Sequence, residues 1–347
     1  MKTTFLYKPL KDKTVLCLAC CHGCKISEGK TGICGVRQNI GSKLKLLVFN
    51  KAAAVNIDPI EKKPFYHFLP ASKAFSIGAF GCNFRCLNCQ NYDISQIFDH
   101  KGGVDYYSKI NLGKNLSPVK AVQTAKKTGC ESIAYTYNEP AIWAEYALEI
   151  MKHAKKEGLC NIWVSNGFMT KETFNAISPY LDAINIDIKS FSDKFYRQNC
   201  GARLDPVLEN CRRVKKKKIH LEITTLIIPT ISDNENMLKQ LAKFIKQELG
   251  ADVPWHINSF SGKISWKLQH IPETSVSQLK KIYQIGRDIG LRYVYVGNVL
   301  TEGLENTYCP KCSAIVIKRL GYNIENHLKN EKYCKCGYQI NLIDKTL

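Results

Sequence analysis

Short apolar runs rich in β-branched residues recur through the middle of the chain. They are AFSIGAF (74–80), SIAYTY (132–137), NIWVS (161–165), AINIDI (183–188), HLEITTLII (220–228), PWHIN (254–258) and RYVYVG (292–297). Between them lie longer stretches whose apolar positions fall three and four apart. The short runs read as buried strands and the long stretches as amphipathic helices, and their alternation predicts parallel strands joined by helical crossovers. PVKAVQTAKKTG opens on Pro118 and closes on Gly129, and AIWAEYALEIMKHAKKEG closes on Gly158, which is the punctuation of helices. Six or seven such units predict an α/β fold, a partial or complete (β/α) TIM-type barrel over residues 71–300. In that architecture chemistry sits on the loops that follow the strands' C-terminal ends.

The flanks are different. Residues 1–70 form a Cys-rich segment with little periodicity, holding Cys17, Cys20, Cys21, Cys24 and Cys34, and residues 301–347 form a second appendage with Cys309, Cys312, Cys334 and Cys336. The chain of 347 residues has 16 cysteines in tight groups whose spacings suit metal better than cross-links, so a reducing cytoplasm is the expected compartment. No apolar stretch is long enough to span a membrane, and charged residues interrupt the N-terminus, so no membrane association is expected. The net charge of +20 and the run RRVKKKKIH (212–220) raise a nucleic-acid partner. Lys outnumbers Arg in that charge, and Arg is the better fork for phosphates and base edges, so the run reads more simply as a solvated helix end followed by a strand.

The first predicted barrel strand leads into GCNFRCLNCQN, which places Cys82, Cys86 and Cys89 on one loop. Four thiolates close a tetrahedral zinc site or an iron–sulfur cube, whereas three leave one iron of a cube open to another ligand. A three-thiolate zinc site completed by His or water is the structural alternative.

With this loop and the motifs that follow it, the chain resembles the radical S-adenosylmethionine (SAM) enzymes, whose open iron chelates SAM and whose barrel is a radical SAM barrel. TYNEP (136–140) stands in the place of the family's Gly-Gly-Glu-Pro, which implies that Asn138 and Glu139 face the SAM amino group. Ser165 and Asn166 of SNG resemble its Thr-Asn-Gly on the ribose side. Asp187 and Lys189 of DIK resemble the Asp-x-Lys of glycyl-radical activating enzymes, and His256 of PWH their Pro-x-His, both facing SAM. The segments CLAC, HGC, GICGVRQN, EKKPFYHFLP and ENTYCPKC extend the resemblance over nearly the whole chain, to the AmmeMemoRadiSam radical SAM family, relatives of the pyruvate formate-lyase activating enzymes. The resemblance implies a [4Fe–4S] cluster on Cys82, Cys86 and Cys89, reductive cleavage of SAM to a 5′-deoxyadenosyl radical, and hydrogen abstraction from a substrate, with glycyl-radical activation of a protein the nearest precedent.

The chain departs from those activators at Val164, where they carry an acidic residue, and at Thr224, where they carry Arg. It has Cys21 where the closer family favours Pro, and Cys-x-Cys in the tail instead of Cys-x-x-Cys. Cys17, Cys20, Cys24 and Cys34 could bind zinc or a second cluster, with structural zinc the preferred reading, and Cys309, Cys312, Cys334 and Cys336 read as a zinc-ribbon-like knuckle. A flavodoxin- or ferredoxin-type electron donor and a protein client are the expected partners. An RNA-modifying radical SAM enzyme and a zinc-ribbon RNA-binding protein are the alternatives. The isolated Cys130, Cys160, Cys200 and Cys211 read as buried small hydrophobes.

Overall fold

The computed structural model describes residues 1–97, 112–330 and 332–344. Seven of its strands coincide with the seven apolar runs. They are β2 (Lys73–Gly78), β3 (Ser132–Tyr135), β4 (Cys160–Ser165), β5 (Ala183–Asp187), β6 (His220–Ile227), β7 (Trp255–Ser259) and β8 (Val294–Gly297). All are parallel and pair in chain order, because each but the last is followed by a helix that carries the chain back along the sheet. The helices are α1 (Pro118–Lys127), α2 (Ala144–Lys156), α3 (Lys171–Ile177), α4 (Asp205–Lys216), α5 (Glu235–Phe244) and α6 (Val276–Ile289). Ser117 caps α1 by accepting from Lys120 N, and Ser275 caps α6 by accepting from Gln278 N. The basic run 212–220 is the end of α4, a two-residue exposed turn and the start of β6.

One strand was not expected. β1 (Ala54–Pro59) pairs antiparallel with β2, so residues assigned to the N-terminal segment complete an eight-stranded sheet. The order β8 to β1 is linear, and the sheet is a partial barrel.

Large side chains face the helices. Ile133, Tyr135, Trp163, Ile184, Ile186 and Ile223 are fully buried there. The alternate positions are small or polar, among them Ala74, Ala134, Ala183 and Asn185. Phe65 and Phe68, from the connection after β1, pack on Ala74, Ala134, Ile162 and Ala183 and so close the end of the barrel where strands begin. The C-terminal appendage docks at this closed end, where Arg319 donates to Tyr66 O at 2.9 Å and Ile343 N to His67 O at 2.8 Å. The N-terminal segment docks at the other end, against the loops after β2 and β4. Among the described residues no helix is long and apolar enough to cross a membrane.

Candidate active site

The loop after β2 is folded by its own backbone and by a distant segment. Gly81 N donates to Ile94 O, Cys89 N to Cys86 O, Arg85 N to Cys200 O and Leu87 N to Asn199 O. The Arg85 guanidinium donates to Cys82 O at 2.9 Å and Phe84 O at 3.1 Å, bracing the turn from inside. Phe84 N points at Cys82 Sγ at 3.4 Å, and Cys89 Sγ lies 3.2 Å from Ser95 Oγ. Cys82 and Cys86 are buried and Cys89 is half-buried. Burial pushes the Cys82 and Cys89 thiols up, and contact with Cys200 followed by burial pushes Cys86 up. A cation is what would turn these groups into thiolates.

TYNEP follows β3 as a strained turn. Tyr137 and Asn138 both sit at positive φ, +47° and +109°, the backbone that two glycines would adopt without cost. Gly78 at the end of β2 makes room for it, since a Cβ there would lie 2.6 Å from Tyr137 Cβ. The Tyr137 hydroxyl holds the turn by donating to Asp58 Oδ2 at 2.5 Å while accepting from Lys63 Nζ at 3.0 Å. Burial pulls the Asp58 carboxyl up, but hydrogen bonds from Lys63, Tyr137 and Lys62 outweigh it and hold the group well below its usual range.

The turn delivers Glu139 to a fully buried position, where its carboxylate accepts from Ala141 N (3.0 Å), Asn166 N (2.7 Å) and Ser165 Oγ (2.9 and 3.1 Å). Burial dominates over these donors and raises its pKa to about 7. Asn166 in turn donates through Nδ2 to Asn83 Oδ1 at 2.8 Å, joining the SNG segment to the cysteine loop. Asn138 donates to Ala79 O at 2.9 Å. Asp187 and Lys189 form an ion pair of 2.8 Å beyond β5. Burial pulls the Lys189 ammonium down, but Asp187 and the Cys86 and Cys200 sulfurs outweigh it and keep it charged.

Glu139, Ser165 and Asn166 are therefore brought together, tied through Asn83 to the cysteine loop, with Asn138 and the Asp187–Lys189 pair beside that loop. His256 is not. Its Nε2 lies 2.6 Å from Glu222 Oε2, and its ring packs on Tyr66 and Tyr295. Glu222 also accepts from the Tyr66 and His67 amides, so His256 belongs to the polar network that fastens the closed end. The His256 Nε2 is taken up by Glu222, while the His256 backbone pairs in register with Thr224 and, through it, with Asp187.

Asn83 Nδ2, Asn138 Oδ1 and Thr224 Oγ1 are among the buried polar atoms of the described residues that have no hydrogen-bond partner. Unpaired groups of this kind are costly unless a ligand satisfies them. Three thiols on one loop, a charged Lys189, a buried carboxylate and unsatisfied polar atoms on Asn83 and Asn138 fit a three-thiolate iron–sulfur cube and a zwitterionic cosubstrate. Sequence reasoning missed Asn83, which lay inside the cysteine motif, and Cys200, whose contact with Cys86 left no signal in the chain.

The appendages differ in spacing. Cys309 Sγ lies 3.6 Å from Cys336 Sγ and Cys312 Sγ 3.6 Å from Cys334 Sγ, and all four sulfurs fall within 4.8 Å of one another. That matches the roughly 3.8 Å separation of sulfurs around a tetrahedral zinc. Among the described residues no other group of three or more cysteine, histidine or carboxylate ligand atoms is drawn together so tightly.

A parallel α/β partial barrel with three cysteines on its first strand-end loop defines an enzyme of the radical SAM class. The sequence comparisons agree: the model of the Radical SAM superfamily matches residues 77–245. An uncharacterised protein of Methanocaldococcus jannaschii is 38% identical over 346 residues, covering 99% of this chain and all of that one. The isethionate sulfite-lyase activating enzyme of Desulfovibrio desulfuricans is 22% identical, over 64% of this chain and 67% of that protein. The pyruvate formate-lyase 1-activating enzyme of Escherichia coli is 23% identical, over 48% and 65%. Among solved structures, a domain of a pyruvate-formate lyase-activating enzyme from Bacteroides vulgatus superimposes with a TM-score of 0.43 at 20% identity, over 48% of this chain and 99% of that one. The chain belongs to the radical SAM superfamily.

Proposed function

We propose that this enzyme holds a [4Fe–4S] cluster on Cys82, Cys86 and Cys89, binds SAM against Asn138, Glu139, Ser165, Asn166, Asp187 and Lys189, and abstracts hydrogen from a backbone glycine of a client protein. The observation that carries the reading is the tie between the cysteine loop and the buried Glu139 through Asn166 and Asn83. Bound there, a reduced cluster would supply the electron that splits the SAM sulfonium into methionine and a 5′-deoxyadenosyl radical, which takes the substrate hydrogen.

The chain's own groups orient and shield. The Glu139 carboxylate is preorganised by three donors to accept from an ammonium, and Lys189 offers a cation to a carboxylate. Asn138 Oδ1 and Thr224 Oγ1 offer acceptors to hydroxyls, and Asn83 Nδ2 offers a donor. Kinship with proteins named activating enzymes favours a protein client. Val164 and Thr224, two positions at which the chain departs from the activator pattern, favour a client of another shape. The Lys-rich surface suits an acidic flavodoxin- or ferredoxin-type donor. Zinc on Cys309, Cys312, Cys334 and Cys336 completes the reading, as a staple for the tail at the closed end.

The test is deuterium transfer. Client proteins captured anaerobically and labelled at glycine Cα should deliver deuterium into 5′-deoxyadenosine and leave a glycyl doublet in the electron paramagnetic resonance spectrum. Label arriving from RNA and from no protein would overturn the choice of client.

A further inference from the structure

We propose that Cys17, Cys20, Cys24 and Cys34 hold a second [4Fe–4S] cluster, one that relays electrons to the cysteine loop after β2. The four residues are assembled by the N-terminal segment. Cys17 ends a strand (Val15–Cys17) whose Cys17 N donates to Cys24 O at 2.9 Å, and Gly23 N closes the intervening turn on Cys20 O. Cys24 Sγ would lie 3.5 Å from a Cβ at Gly32, two residues before Cys34. The four thiols interact electrostatically with one another, and Cys17, Cys20 and Cys34 are buried.

Spacing chooses the metal. A single zinc holds four sulfurs roughly 3.8 Å apart, a spacing the C-terminal group fits, whereas the corners of an iron–sulfur cube hold sulfurs roughly 6 Å apart. The N-terminal four are neighbours, yet among the described residues no three of them fall within 4.8 Å of one another. The cysteine loop after β2 shares that wider spacing. The earlier preference for zinc at this group is revised accordingly.

Position chooses the role. The His22 ring Nε2 donates to Asn83 O at 2.8 Å, and Arg85 donates to Ile33 O at 2.5 Å, so the segment grips the cysteine loop on both sides. Cys21 N donates to Phe168 O, and Cys20 bridges to Met169, beside the SNG segment. From Cys20 to Cys82 the route is two residues of chain, one hydrogen bond through His22, and one residue more. Cys24 is the least covered of the four and is flanked on its sheet and turns by exposed Lys8, Lys13, Lys25 and Lys30. An acidic one-electron donor docking there would reduce the second cluster. That cluster would pass the same electron to the first and return to its oxidised state. The relay, though not the presence of the cluster, rests on the function proposed above.

Metal analysis of the anaerobically reconstituted full chain tests this. Wild type should carry about eight iron and eight sulfide, and a variant with Cys82, Cys86 and Cys89 all replaced by Ala should keep about four of each, with a reduced-cluster paramagnetic signal. A triple variant devoid of iron and carrying two zinc would overturn the proposal, whether or not wild type cleaves SAM. Cys24→Ser, at the most exposed ligand, guards against misfolding of a fully stripped segment. It should lower reduction of the remaining cluster by reduced flavodoxin at least tenfold while leaving reduction by dithionite intact. An unchanged flavodoxin rate would refute the relay.

Discussion

Glu139→Gln exposes the logic of the site. The carboxylate is fully buried and divides its donors between its oxygens, Ala141 N on Oε1 and Asn166 N on Oε2, with Ser165 Oγ reaching both. An amide keeps one oxygen, so one backbone N–H must face an NH2 group, at a cost of about 1–3 kcal/mol for a stranded buried donor. Against this stands the carboxylate's own desolvation. A pKa of about 7 in place of the ordinary 4.5 makes the ionised form about 3 kcal/mol less favourable in the folded chain, at about 1.4 kcal/mol per pH unit. A carboxyl with a raised folded pKa contributes its stability fully below the unfolded value and loses it as pH rises through the folded one. Wild type should therefore be more stable than the variant at pH 4.5, with most of that advantage gone by pH 8. SAM affinity should run the other way, tightening in wild type as the carboxylate ionises near pH 7. The variant should lose a charge-assisted bond of about 1.5–3 kcal/mol, roughly 10- to 150-fold in Kd, with iron content unchanged. Denaturant unfolding at the two pH values and anaerobic calorimetry with SAM would measure both. A SAM Kd within threefold of wild type, together with a pH-independent stability difference, would refute the reasoning.

Other expected outcomes follow from particular contacts. Cys200→Ala removes a thiol in contact with Cys86; with Cys86 bound to the cluster as a thiolate, that thiol would donate S–H to the ligand sulfur, so redox titration of the variant should show the midpoint potential roughly 20–60 mV more negative, with iron retained. Gly78→Ala places a Cβ 2.6 Å from Tyr137 Cβ and should disturb the Glu139 turn, weakening SAM binding at least tenfold in calorimetry. Adding Tyr137→Gly should recover part of that loss. Arg37 is buried and pairs with Glu145 of α2 through its two terminal guanidinium nitrogens, so Arg37→Met should cost about 3–5 kcal/mol in denaturant unfolding by leaving the buried Glu145 carboxylate without its cation, with only the Leu6 amide, among the described residues, still donating to it.

The parallel strands were legible because runs such as NIWVS and AINIDI are buried on both faces, which leaves a continuous apolar signal. β1 was not, because AVNIDP is an edge strand with Val55 and Ile57 exposed, and its burial pattern carries no period. The cysteine loop, Glu139 and SNG could be read locally, since motif and strand end coincide. His256 could not, because what fixes it is Glu222, 34 residues away on the neighbouring strand. Cys200 was equally silent, as the backbone pairing of residues 85 and 87 with 199 and 200 exists only in three dimensions. Spacing along the chain likewise left zinc and cluster open for the N-terminal thiols, since sulfur separation is set by how the turns fold.

The central claim is that Cys82, Cys86 and Cys89 together make SAM reactive. Its most direct test is SAM cleavage by the anaerobically reconstituted enzyme under dithionite, read as 5′-deoxyadenosine and methionine by chromatography. Wild type should form both, and the variant with all three cysteines replaced by Ala should form neither while still unfolding cooperatively and keeping its C-terminal zinc. Turnover in that triple variant would contradict the account.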